Sequence, residues 1–444
     1  MKWRLREVVM PTRVRWWLVV GLFIALLFGA SAIWDYVEAR RVTAAIVALA
    51  HSGGSINRSQ IERSDPGDPA DDAAPLYIAA ASLASTSPAY ESVALAAGQS
   101  FSGVPSPSEL QAWYSTGDIP PPMLQRTKAV LDQQGDALRM LDEATTRHFR
   151  GFAPRTAYGA QIMQFEQLCR LCSMRTVYAA ATRNGPAAAE SLRAELALSS
   201  DPERPVHRAP LPRVLLSALS LSLLLNRVAL DETQLASLAL AFGRADDDGI
   251  LDRELNALRG NFIDAVLERA RYFNGFRLFV AGLPGDTHVV LRAQLASRVT
   301  ERLDSYREML AASRNPWTTR LDDARTAAIR RQWRDDGGFL VSHGWSSDPW
   351  GFTALPLNLA SARVARAAIA VERYRLAHNG QLPETLDQTV PAFLPVVPTD
   401  PYSGRSIRFV RIDGGYKVYG VSFDRVDDGG DLLRDQPVIQ VRRR

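Results

Sequence analysis

The chain has 444 residues, 46% of them hydrophobic and 23% charged; it is long enough for two or three domains with their own cores, and the balance excludes a disordered chain. The formal net charge is only +4, and the cations are almost all arginines interspersed with acids, since lysine occurs only at Lys2, Lys128 and Lys417. No long basic run exists to track phosphates, so nucleic acid is not an expected partner.

The first element is "WWLVVGLFIALLFGASAIW", Trp16 to Trp34, an uncharged apolar run whose helical length matches a bilayer core of about 30 Å. Trp16, Trp17 and Trp34 stand at its ends, where aromatic rings favour the membrane interface. Lys2, Arg4, Arg6, Arg13 and Arg15 precede it, and Arg40 and Arg41 follow, diluted by Asp35 and Glu38. The positive-inside bias then predicts a single-pass anchor in the inner membrane, with the N-terminus in the cytoplasm and the bulk of the chain periplasmic or extracytoplasmic. A cleaved signal peptide is the competing reading, because Ala30-Ser31-Ala32 resembles an A-x-A site. The apolar run is long for a signal sequence and continues past that site, which favours a retained anchor; both readings export the remainder.

Residues 1–15 thus read as a basic cytoplasmic segment, 16–34 as the anchor and 35–72 as a juxtamembrane helix and linker. The stretch from His51 to Asp72 loses its apolar period and collects Gly, Ser, Pro and Asp. A helical domain is expected over 73–336. A helix opens in "AAPLYIAAASLAS", Ala73 to Ser85, and Gly98 to Pro122 reads as an ordered loop. From Met123 onward amphipathic helices follow one another. Leu124, Leu131, Leu138 and Leu141 mark one, Ala157–Arg183 the next, and "NGP" at 184–186 turns the chain into Ala187–Leu198. Leu211 to Leu230 is apolar on nearly all sides, yet contains Arg213, Ser217, Ser220, Ser222, Asn226 and Arg227; it is expected to be a buried helix and not a second span. Asp231 and Gln234 form a capping-box start for the next helix. Helices over 250–271, 287–313 and 316–334 complete the set. Short loops imply antiparallel neighbours. "RTVYAAATRNGPAAAESLRAEL", Arg175 to Leu196, resembles a single tetratricopeptide-style pair with no repeat at that period, so the expectation is an irregular helical array.

Residues 337–352, rich in Gly and Trp, read as a linker. The pattern then changes over 353–435. Asn358–His378 is an amphipathic helix with Val364, Ala367, Val371 and Tyr374 on one face, closed by Asn379-Gly380 with Gly380 as left-handed cap. Ile407, Phe409 and Val410 precede Asp413-Gly414-Gly415, and Tyr416, Val418, Val421 and Phe423 follow, which reads as a β-hairpin. Residues 436–444 read as a basic tail. The predicted fold is mainly α: a transmembrane helix, an irregular helical array and a small α+β module.

That module, Ala368 to Asp431, resembles the soluble domain of the major pseudopilin of type II secretion systems. The helix ending in Tyr374 and His378-Asn379-Gly380, then Pro383, Leu394-Pro395, "TDPYSG" (Asp400, Pro401, Tyr402, Gly404), the hairpin and an Asp/Gly-rich loop occur in that family's order. The whole chain looks like single-pass bacterial membrane proteins that carry this module, a resemblance that implies no activity. It departs from a polymerising pseudopilin in two ways. The helical domain separates anchor from module, and Glu7 precedes the apolar run where a prepilin-peptidase signature would need an acid inside it. The resemblance implies a calcium ion in the loop "SFDRVDDGGD", held by Asp424, Asp427, Asp428 and Asp431, because hard cations need several oxygens and glycines let the chain wrap closely. The alternative is a solvated acidic turn in which Arg425 and Arg434 pair with some of these acids.

Other chemistry finds little footing. Six histidines (51, 148, 207, 288, 343 and 378) form no metal or nucleophile–base spacing, and no Walker loop, dinucleotide fingerprint or G-x-S-x-G elbow is present. "DDDG" at 246–249 fails as an EF-hand because positions one and twelve would be Arg244 and Leu255; a helix N-terminus accounts for it better. Cys169 and Cys172 share a helix face with Phe165 and Leu168, as two core residues or, in an oxidising compartment, a strained disulfide or redox pair. The expected function is a non-enzymatic, membrane-anchored, envelope-facing binding or scaffold protein with an envelope protein partner, associated with secretion machinery. The alternatives are an envelope hydrolase with its site in the helical domain and an atypical pseudopilus component.

Overall fold

The computed structural model describes residues 12–51, 71–85, 121–147, 158–199, 213–249, 251–252, 255–256, 259–260, 262–263, 285–322, 351–432 and 434–442. The expected linker cores (52–70 and 337–350), most of the loop at 98–122, and the chain's first and last few residues lie outside them. The chain divides into two compact units, Met1–Gln60 with Leu258–Leu310, and Ile61–Ala257 with Ala311–Arg444.

The first unit holds α1, Thr12–His51, and most of a second long helix, Gly285–Ala312. Helix α1 is about 60 Å long at the α-helical rise and carries the one stretch among the described residues that is long and apolar enough to cross a membrane. Its side chains are bare from Trp16 through Ala30. From there Ser31, Asp35, Glu38 and Val42, at steps of four, three and four, turn toward protein, and Glu38 is buried with Arg41 bonded to it at 2.8 Å. Further along the same unit, the buried Phe262 and Tyr306 rings meet at 6.0 Å.

In the second unit, α2 (Ala74–Ser85), α3 (Pro121–Gln133), α4 (Gly135–Thr146), α5 (Tyr158–Ala181) and α6 (Gly185–Ser199) follow in order. The single helix expected after Met123 breaks at Gln134, before Gly135, whose missing side chain makes it a weak helix former. Tyr77, Ala80, Ala81 and Ala84 of α2 pack on Leu138 and Leu141 of α4 and Leu168, Leu171 and Cys172 of α5. Alanine on the facing stripe brings these backbones close. Helices α5 and α6 form the expected hairpin, with Arg183 left-handed at φ 56° and the Asn184 side chain accepting from Ala187 N at 3.2 Å.

The buried apolar helix is α7, Arg213–Arg227, and α8 is Glu232–Ala245. The capping box holds both ways: Gln234 N donates to Asp231 Oδ1 at 2.8 Å and Asp231 N to Gln234 Oε1 at 3.1 Å. Helix α9 is described over Trp317–Asp322, the rest of the helix expected over 316–334 lying outside the described residues, and α10, Gly351–Ala377, starts seven residues earlier than the sequence suggested and runs through Pro356. Between Leu359 and Glu372 every residue of α10 but Arg366 is buried, so the four-residue face expected for it is only a fraction of its contact surface. Gly380 at φ 89° closes it, its N–H donating to Arg375 O at 2.8 Å.

Three antiparallel strands finish the chain: β1 (Arg408–Ile412), β2 (Gly415–Tyr419) and β3 (Val438–Arg442) in the order β1-β2-β3. The hairpin stands as expected. Strand β3 replaces part of the expected basic tail, because Val438, Ile439 and Val441 are buried beside β2. A Cβ on Gly415 would lie 1.9 Å from Val441 O, so only glycine lets β3 close on the hairpin there. The outer edge of β3 is capped by α7. Asn226 Nδ2 donates to Gln440 O at 2.8 Å, and Arg442 N donates to Asn226 Oδ1 at 2.7 Å, so one side-chain amide stands in for a neighbouring strand. Val177 and Leu192 of the hairpin, Leu221 and Leu224 of α7, Phe242 of α8, Val364 and Val371 of α10, and Tyr416 and Val418 of β2 share one continuous core. Helical array and C-terminal module are therefore packed as one body in this unit.

Candidate functional site

Three polar constellations lie in the second unit. In the acidic loop, the four predicted ligands do not converge. Asp424 Oδ1 accepts from Val426 N at 3.2 Å, and Asp431 Oδ1 accepts from Arg434 N at 3.1 Å. Asp428 lies 3.6 Å from the Arg434 guanidinium. Asp427 is bound at both oxygens, by Arg408 Nε at 2.6 Å and by the Tyr419 hydroxyl and Gly429 N at 3.1 Å each. Burial pushes the Asp427 carboxyl up, but the Gly429 N–H and the Arg408 charge outweigh it and hold the group below the usual carboxylate value. Two further aspartates brace the region. Asp400 is fully buried and accepts from Tyr402 N at 2.8 Å and Val421 N at 2.6 Å; burial raises its pKa against the pull of those amides. Asp435, also fully buried, takes Gly430 N at 2.8 Å on Oδ2, while its Oδ1 is buried without a hydrogen-bond partner.

Calcium fits these residues poorly as they are placed. A hard cation takes six to eight oxygens, and among the described residues no three His, Cys, Asp or Glu side chains are grouped to hold a metal. Among the described residues of this region, Asp435 Oδ1 is the buried carboxylate oxygen without a hydrogen-bond partner, and it is a single ligand.

The second constellation is built on "DDDG". Asp246 is at the C-terminal end of α8, with its side chain in an ion network, while Asp247 accepts from Gly249 N at 2.8 Å just ahead of the helical residues 251–252. Arg363 of α10 donates from Nε to Asp246 at 2.8 Å, from Nη2 to Asp248 at 2.9 Å and from Nη1 to Thr399 O at 2.8 Å. Arg366 bonds the other Asp246 oxygen, and Trp317 Nε1 donates to Asp248 at 3.1 Å. One guanidinium fork thus ties α8, α10 and the segment before β1 together.

The third is Glu195 of α6, 2% exposed. Thr176 on α5 and Ser217 on α7 donate to it at 3.2 Å, Ser220 on α7 at 3.3 Å, and Ser173 on α5 adds a fourth hydroxyl. Burial outweighs these hydrogen bonds and lifts its pKa from 4.5 to about 7. It can hold a proton near neutrality, but it is sealed from any substrate. Beside it Cys172 is buried, which pushes its thiol well above the ordinary value; neither Cys172 nor the half-buried Cys169 is in a disulfide.

Sequence reasoning passed over Glu195, Arg363, Arg408 and Lys417. Only Glu195 had a legible signal: it continues the apolar stripe Ala188–Leu192, opposite a helix that sets Ser217 and Ser220 one turn apart among leucines. No family model matches the chain, and no curated protein or solved structure matches it.

Proposed function

We propose that the chain is a membrane-anchored, envelope-facing binding or scaffold protein without catalytic activity, whose partner belongs to secretion machinery. The observation that carries this is α1: a bare apolar stretch from Trp16 through Ala30, long enough with its continuation to cross a bilayer, and then a face that packs against protein. The basic residues before Trp16 support a cytoplasmic N-terminus and an exported body. The internal use of the buried charges supports a structural role over a catalytic one. Asp246, Asp400 and Glu195 are each consumed in bonds that hold elements together. The secretion partner rests on the resemblance of residues 368–431 to the major pseudopilin.

Carbonate extraction, spheroplast proteolysis and in-membrane crosslinking test this together. The chain is expected to stay with the membrane, to lose its body to external protease, and to crosslink through that body to a secretion-system component. Release by carbonate, or a body protected in spheroplasts, defeats the anchor and its orientation. Crosslinks that never include a secretion component defeat the partner assignment.

A further inference from the structure

The acidic loop meets its need for positive charge from an unexpected source. Lys417, on β2, reaches under the Gly429-Gly430 pair and donates from Nζ to Gly430 O at 2.9 Å and to Gly429 O at 3.3 Å. These are the backbone carbonyls that a loop wrapped around a hard cation would offer it. The most engaged carboxylate of the loop, Asp427, is held at the same time by Arg408. A Cβ on Gly430 would meet Lys417 Cδ and Tyr419 Cδ1 at 3.0 Å each, so the glycine makes room for the lysine stem as well as adopting φ 72°. The choice of residue is informative. Only three lysines occur in a chain otherwise supplied with arginine, and one of them stands here. An ammonium is a compact point charge with three rotatable donors, closer in kind to a metal ion than a planar guanidinium is.

We propose that the chain's own cations, Lys417 at the carbonyls and Arg408 at Asp427, close the loop over 424–435 in place of a metal ion, so that this end of the protein keeps its structure without calcium. The loop then resembles its calcium-binding counterparts in sequence while being internally neutralised. Asp435 Oδ2 accepts from Gly430 N at 2.8 Å and from Asp431 N at 3.3 Å, the N–H groups of the two peptides whose carbonyls, Gly429 O and Gly430 O, face the ammonium.

The test uses the full chain in detergent. Hydrogen–deuterium exchange of peptides spanning 424–435 is compared in millimolar calcium chloride and in a chelator, for the wild type and for Lys417→Met, which keeps the stem and removes the charge. The wild type is expected to exchange identically in both solutions. Lys417→Met is expected to exchange about tenfold faster in this loop, the effect of losing charge-assisted bonds. Calcium protection of the wild-type loop overturns the proposal, and so does wild-type exchange in Lys417→Met. A second readout needs no variant. Under limiting amine acylation, Lys417 is expected to label about tenfold more slowly in the folded chain than in denaturant, with or without calcium; equal labelling overturns the assignment.

Discussion

Replacing Glu195 with glutamine removes one proton site from the junction of α5, α6 and α7 while keeping its shape. The wild-type carboxyl has a folded pKa of about 7 against an ordinary 4.5, because burial outweighs four hydroxyl hydrogen bonds. At 1.36 kcal/mol per unit this is a free energy of about 3 kcal/mol. The sign follows from where the proton is bound more tightly. Below about pH 4.5 both folded and unfolded chains are protonated and nothing is lost. Between 4.5 and 7 the unfolded chain releases its proton while the folded one retains it, so stability falls as pH rises. Above about 7 both ionise and the penalty stays constant. Glutamine does not titrate, and the hydroxyls of Thr176, Ser217 and Ser220 can accept from its amide as well as donate to its oxygen. The stability of Glu195→Gln relative to wild type should therefore rise by about 2.5 kcal/mol from pH 5 to pH 8. Denaturant unfolding of both proteins at intervals across that range reads it directly, since every other titrating group is common to the pair. Parallel pH profiles would refute a raised, buried carboxyl at this position.

Two other substitutions probe the joints of the second unit. Gly415→Ala puts a methyl 1.9 Å from Val441 O; it should cost about 3 kcal/mol or more and raise exchange at the β3 amides, and an unchanged denaturation midpoint would contradict the close approach of β2 and β3. Arg363→Met leaves Asp246 and Asp248 short of their shared fork and should destabilise by about 3 kcal/mol. Arg363→Lys should recover only part of this, because an ammonium cannot serve Asp246, Asp248 and Thr399 O together; full recovery in unfolding experiments would mean that charge alone matters there.

How much was legible in the sequence varied with the range of the interaction responsible. Local grammar carried the capping box at Asp231 and Gln234, the Asn184 turn, the Gly380 cap and the β1–β2 hairpin, since each is decided by residues a few positions apart. The apolar run at Trp16 is equally local, because bilayer thickness converts directly into helix length. Strand β3 was lost among terminal arginines, as a five-residue strand has too short a pattern to stand out before its partner is known. The acidic loop shows the same limit. Four aspartates beside two glycines invite a metal ion, but which oxygens stay available depends on Lys417 and Arg408, which come from β2 and β1.

By itself the sequence determined an apolar helix able to span a membrane, a helical body and a short antiparallel hairpin, because hydrophobic period and turn chemistry act within a few residues. The tertiary structure alone decided that helices α5 to α8 and the C-terminal module share one core, that Asn226 would complete the edge of a strand more than two hundred positions away, and that Glu195 would lie sealed among hydroxyls from two other helices. Burial and long-range hydrogen bonding are properties of packed neighbours, and those neighbours meet only when the chain has folded.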